Sequence, residues 1–151
     1  MTTPLSQELL AQIVTQAPDA ILYSDREGII RLWNRGAERI FGFSADEALG
    51  QSLDMIIPER HRQRHWDGYH QTMATGITKY GTKLLTVPAL HHGGEQLTTE
   101  FSIVMVTNDQ GQPQGVAAIM RDVSAKRAEE KVMRDRLAAL EAGTSAACQS
   151  T

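Results

Sequence analysis

Apolar residues recur at helical spacing through residues 5–17, where Leu5, Leu9, Leu10, Ile13, Val14 and Ala17 share one face. Pro18 and Asp19 end that pattern, and "AILYSDREGIIRLWN" then reads as two short strands around a turn that needs Gly28. The next run, "NRGAERIFGFSADEALG", is a chain of short helices; Asn34 can cap the first, and Ser44 with Glu47 forms a capping box on another. Pro58 opens a helix of about four turns that Gly76 closes. The second half alternates with period two. "TKLLTVPAL" and "EQLTTEFSIVMVT" flank the hairpin "HHGGE", and Leu97, Thr99, Phe101, Ile103 and Met105 fall on one face of the second strand. After "NDQGQPQ", "GVAAIMRDV" is a third long strand, and the charged run from Ser124 returns to helical spacing. Met133, Leu137 and Leu140 stand there at near-heptad intervals, too few for a convincing coiled coil.

This order predicts an α+β domain: a five-stranded antiparallel sheet with helices gathered on one side and a further helix at each terminus. The divisions expected are an N-terminal amphipathic helix (1–17), a central domain (18–123), an exit helix (124–142) and a flexible tail (143–151).

Composition narrows the function classes. The chain has 151 residues, 41% apolar and 22% charged, which suits one globular domain. A net charge of −3 supplies no electrostatic drive for nucleic acid. Cys148 is the only cysteine, so no disulfide framework forms, and a cytoplasmic setting is expected. No apolar stretch reaches the ~20 residues that span a bilayer, so no membrane is implied. Neither a nucleophile elbow, a phosphate-binding glycine loop nor a paired-carboxylate motif stands out, and the chain does not read as an enzyme.

Histidine is the distinctive residue: three of the five (His61, His65, His70) lie within the helix that follows Pro58. At ~100° per residue, Trp66, Tyr69 and Met73 form its apolar sector, with His65 and His70 on opposite flanks. His65 has the small residues Gly68 and Thr72 beside it. His61 sits in a basic run (Arg60, Arg62, Gln63, Arg64) that reads as a solvated face, and His91 and His92 are expected to be exposed in the hairpin. His61 and His65 at i,i+4 find no third and fourth ligand for a tetrahedral metal site. Trp33, Phe41 and Trp66 read as core aromatics.

The stretch "APDAILYSDREGIIRLWNRGAERIFGFSADEALGQSL", the "HGGE" hairpin and "RDVSAKR" together resemble a PAS domain, over about Ala17 to Val123. That resemblance implies a sensor module with a ligand cavity between sheet and helices, signalling through terminal helices that form a homodimer and reach a downstream kinase or other output domain. "NRGAERIFG" lacks the cysteine used by flavin photosensors of this fold, and Cys148 lies outside the domain, which removes a thioester-linked chromophore as well.

"PERHRQRHWDGY" further resembles the heme-binding helix of FixL-type oxygen-sensor kinases, matched from Pro58 without gaps to Gly94. The resemblance implies heme b, with His65 as the proximal iron ligand, Tyr69 in the pocket, and Leu85, Phe101 and Ile103 on the distal side. Phe101 and Ile103 fall on the face already read as core. Leu85 replaces the arginine that holds dioxygen in that family; leucine has no donor, so carbon monoxide, nitric oxide or redox state become equal candidates for the signal. Met105 and Met120 are conceivable sixth ligands. The alternative is a heme-free PAS module, dimeric and binding a small ligand or none, in which His65 is a half-buried imidazole bonded to a carbonyl. Aromatics make up only 5% of the chain, and Gly115, Ala117 and Ala118 leave the last strand thin. The space behind them is then either filled by a guest or collapsed, since an empty cavity costs ~24 cal/mol per Å³.

Overall fold

A computed structural model describes residues 6–78 and 80–149. Leu5, placed on the first apolar stripe by its spacing, lies outside the described residues, as do the last two residues of the expected tail.

Helix α1 (Gln7–Gln16) starts at Ser6, whose hydroxyl accepts the Leu9 N–H. Strands β1 (Ala20–Asp25) and β2 (Ile30–Trp33) follow, then α2 (Arg35–Phe41), α3 (Ala45–Ala48), a 3-10 turn (Leu53–Ile56) and α4 (Glu59–Thr75). Strands β3 (Leu85–Leu90), β4 (Gln96–Thr107) and β5 (Pro113–Asp122) lead to α5 (Ser124–Gln149). Asn34 and Ser44 cap α2 and α3 as their positions predict, the second in a full capping box. Gly76 closes α4 in the left-handed region, at φ 72°. The exit helix is seven residues longer than expected, running on to Gln149 rather than ending at 142, because "EAGTSAAC" holds only one glycine and no proline to stop it.

The sheet is antiparallel in the order β2-β1-β5-β4-β3. Its register puts Ala20, Met120, Phe101 and Leu85 in one transverse row, Leu22, Ala118 and Ile103 in the next, and Ser24, Val116 and Met105 in a third. These rows face the helices. Ala20, Leu22, Ala118 and Met120 are buried there with Trp33, Phe41, Ile56 and Met73, and Phe101, Ile103, Met105 and Val116 are partly covered. One expectation about the last strand is corrected: of Gly115, Ala117 and Ala118 only Ala118 points to the core. Ala117, two residues from Gly115 in the pleat, lies on the other face, paired with Tyr23 and Val104. Gly115 answers a different demand, since a Cβ there would strike the Ser24 carbonyl and the Tyr23 hydroxyl.

The two terminal helices leave the domain near one another. Asp19, just after α1, holds Arg121 of β5 at 2.9 Å. At the other exit the Val123 N–H bonds the Thr98 carbonyl, the Thr98 N–H bonds the Ser124 hydroxyl, and that hydroxyl donates to Asp122.

Candidate functional site: the inner face of helix α4

Helix α4 crosses the sheet with its ends tied at different strands. Near its start Arg60 reaches Gln96, the first residue of β4. Toward its end the buried Tyr69 sets its hydroxyl 2.9 Å from Ser24 Oγ and donates to the Asp25 carbonyl. Burial pushes the Tyr69 phenol up to about 12, so it stays a proton donor over the whole working pH range. Trp66 is clamped between. Its indole N–H bonds Asp54 at 2.7 Å, and its ring edge lies against Gly28, where an added Cβ would fall 2.1 Å from the ring. Gly28 is therefore required twice, for φ 80° in the β1–β2 turn and for room under the indole.

His65 sits in this aromatic row, its ring centroid 4.7 Å from Trp66 and 5.7 Å from Tyr69. Its Nδ1 is buried without a hydrogen-bond partner. Burial lowers its proton affinity and the neighbouring His70 adds to that, against a weaker opposing pull from Asp54. At neutral pH the ring is thus uncharged, with a lone pair and no partner for one nitrogen. The carbonyl bond expected of a purely structural histidine is absent.

The remaining histidines divide as their positions suggest, with one exception. His70 is exposed and stacks on Trp66, and His61 accepts from the neighbouring Arg60. His92 is exposed, near Glu47, but His91 is half-buried against Gly42, where the hairpin docks on the α2–α3 connection. The exposure expected for His91 is therefore corrected: the Phe41 carbonyl takes the His92 N–H and draws the hairpin in. Among the described residues no group of three or more His, Cys, Asp or Glu side chains could hold a metal ion.

The predicted site residues fall into two sets. His65 and Tyr69 are neighbours on α4. Leu85, Phe101 and Ile103 share the inner sheet face by register, all three partly covered. No hydrogen bond or ring contact joins the sets. Helix α4 is tied to β4 where Arg60 meets Gln96 and to β1 where Tyr69 meets Ser24, and His65 lies on the helix between those two ties. Two clefts open nearby without reaching His65. One of about 650 Å³ is lined by Pro58, Arg60, Arg62, Leu90 and Gln96; the other, about 380 Å³, is lined by Arg26, Met73 and Gln114 among others. Sequence reasoning missed Ser24 and Asp54, the two anchors of the aromatic row. Ser24 could have been found, being polar at the inward phase of β1, two residues beyond Leu22.

The profile of the family described as a PAS fold matches residues 14–128. The chain belongs to the PAS family. Among curated relatives, this PAS domain is 33% identical over 120 residues to the sensor protein FixL of Bradyrhizobium diazoefficiens, covering 68% of this chain and 24% of FixL. It is 27% identical over 135 residues to the cell-division control histidine kinase PdhS of Brucella ovis, covering 85% of this chain and 12% of PdhS. The chain thus spans a quarter or less of these relatives, and it matches a PAS sensor module of signalling proteins. A PAS domain from Colwellia psychrerythraea superposes with a TM-score of 0.68 at 24% identity, over 78% of this chain and 97% of the other, a likeness of fold. Among the described residues no helix is long and apolar enough to cross a membrane.

Proposed function

We propose that this PAS domain is a heme b sensor of a diatomic gas or of redox state, with His65 as the proximal iron ligand. The observation that carries the reading is the half-buried, uncharged imidazole of His65 beside Trp66 and Tyr69, whose Nδ1 is buried without a hydrogen-bond partner. A ring nitrogen in that state loses the free energy of a hydrogen bond unless something binds it. The donor set fits: a neutral imidazole for iron, Tyr69 beside it, and an apolar opposite wall of Leu85, Phe101 and Ile103. Heme, when bound, supplies an iron centre that takes gases or changes oxidation state. This chain's residues position the ligand and carry strain away. Tyr69 pins α4 to β1 through Ser24. On the other side β4 passes displacement through Thr98 to Ser124 and Asp122, and β3 passes it through Thr86, whose hydroxyl accepts from Arg127 of α5 at 3.1 Å. In this reading the domain is a cytoplasmic sensor and not a catalyst; it works as a homodimer through its terminal helices and hands its signal to a kinase or another output domain. Its resemblance to FixL-type domains and its likeness to sensor kinases support that role.

A second reading, a heme-free dimerisation or small-ligand module, is favoured by one observation: neither cleft is lined by His65, which lies against Trp66 and Tyr69. The visible spectrum of protein expressed with a heme precursor decides. A Soret band that is lost or displaced in His65→Ala supports the first reading. An unchanged band in the variant removes His65 from the role, and colourless wild-type protein selects the second reading.

A further inference from the structure

A metal-binding histidine is ordinarily oriented by a hydrogen bond on its second ring nitrogen, which fixes both the ring and its tautomer. His65 has no such bond. Its Nδ1 is buried without a partner, and among the described residues no hydrogen bond reaches the ring at either nitrogen. The imidazole is braced instead by two aromatic neighbours. Tyr69 lies tilted at 34° with its centroid 5.7 Å away, and Trp66 meets the imidazole at 79° and 4.7 Å, an edge-to-face contact.

A brace orients a ring only if it is itself fixed. Tyr69 is held by Ser24 and the Asp25 carbonyl. Trp66 is held separately, at both ends of its indole. The N–H donates at 2.7 Å to Asp54, in the 3-10 turn that precedes α4, and the far edge of the six-membered ring rests on Gly28. His70 stacks on the same indole at 27°. The turn that carries Asp54 is fastened in its own right, because Arg62 bonds the carbonyls of Asp54 and Ile57. Helix α4 therefore grips that turn twice, and the second grip is the one that reaches His65.

We propose that Asp54 and Trp66 are positioning residues for His65: the Asp54 carboxylate locks the indole through its N–H, and the locked indole orients the imidazole as a hydrogen bond does at other metal-binding histidines. This deepens the heme reading and rests on it. An imidazole already fixed loses less freedom when its nitrogen is bound, so the brace acts as affinity.

The apo chain gives the first test. In nuclear magnetic resonance spectra the indole ring current should displace the His65 ring protons from ordinary histidine positions. Asp54→Ala should bring them most of the way back, whereas Asp54→Asn, which keeps an acceptor for the indole, should leave them near wild type. The heme-loaded chain gives the second. Heme loss to an excess of a scavenging globin should be at least about tenfold faster in Asp54→Ala and in Trp66→Phe, as removal of an orienting partner requires. The double variant should be no faster than Trp66→Phe, since both changes remove one brace. Phe41→Leu, a core change on α2 that leaves the aromatic row of α4 intact, measures general loosening and should alter neither result. His65 protons unmoved by Asp54→Ala, or faster heme loss matched by Phe41→Leu, would overturn the proposal and leave the heme reading standing. Asp54→Asn as impaired as Asp54→Ala would overturn it too, tracing the effect to charge rather than to the bond. A wild-type chain that takes no heme would remove both, whatever the apo spectra show.

Discussion

The Tyr69 hydroxyl lies 2.9 Å from Ser24 Oγ, and this buried bond fastens helix α4 to strand β1. Both residues are buried, and the same phenol reaches the Asp25 carbonyl at the start of the turn. Around that turn, burial of the Asp25 carboxylate is outweighed by the N–H groups of Ile29 and Glu27 and by Arg31, which together lower its proton affinity. Helix α4 is thus fastened to a turn that is itself rigid.

Tyr69→Phe keeps the ring and removes the hydroxyl, leaving Ser24 Oγ buried without its partner. A loss of about 1–3 kcal/mol is expected, read by urea denaturation. Ser24→Ala combined with Tyr69→Phe should cost less than the sum of the two single changes, because the orphaned group is then gone. Strict additivity would show that the bond does not hold α4.

His65 should make stability depend on pH. Its folded proton affinity is depressed by burial, so its contribution is fully present above the unfolded value of 6.5 and is lost as pH falls through 6.5 toward the lower folded value. Thermal melts of the apo chain between pH 8 and pH 5 should fall more steeply for wild type than for His65→Leu. Parallel curves would mean that the ring is hydrated in the folded protein.

Asn34 is expected to be the costliest polar substitution in the domain. Its Oδ1 accepts from Ile21 at 2.8 Å and Ala37 at 2.9 Å, while Nδ2 donates to the carbonyls of Val14 at 2.8 Å and Asp19 at 3.0 Å. Asn34→Ala should lose at least about 3 kcal/mol, more than the ~1 kcal/mol of an ordinary cap. Asn34→Asp keeps the acceptor and should recover only part. Equal stability of the two variants would confine Asn34 to capping.

In the heme reading, Leu85→Arg places a donor on the distal side of the pocket. In heme-loaded protein, dioxygen dissociation measured by stopped flow should slow at least about tenfold, as one charge-assisted hydrogen bond requires. An unchanged rate would place residue 85 away from the ligand side.

Much of this was legible in the chain. Period-two alternation in "LTTEFSIVMV" put Phe101 and Ile103 on the inner face, because side chains alternate across a pleated strand whatever lies beyond it. The angular spacing of α4 put Tyr69 and Met73 in its apolar sector with His65 and His70 on opposite flanks, and the two sector residues are buried. Asn34 was legible as a cap but not as the link to Val14, since that bond spans twenty residues and depends on where α1 comes to rest. Ala117 was misplaced because a run of small residues carries no alternating signal of its own; only pairing with Tyr23 and Val104 assigned its face.

By itself, then, the sequence determined the order of elements, their caps and turns, and which side chains each element turns inward, because these follow from backbone geometry over a few residues. Tertiary structure alone decided that His65 Nδ1 is buried and left without a partner, that Ser24 and Asp54 anchor its neighbours, and that α5 leaves the domain with its stripe bare. Burial is a property of what the rest of the chain places around a residue, and no local pattern of residues records it.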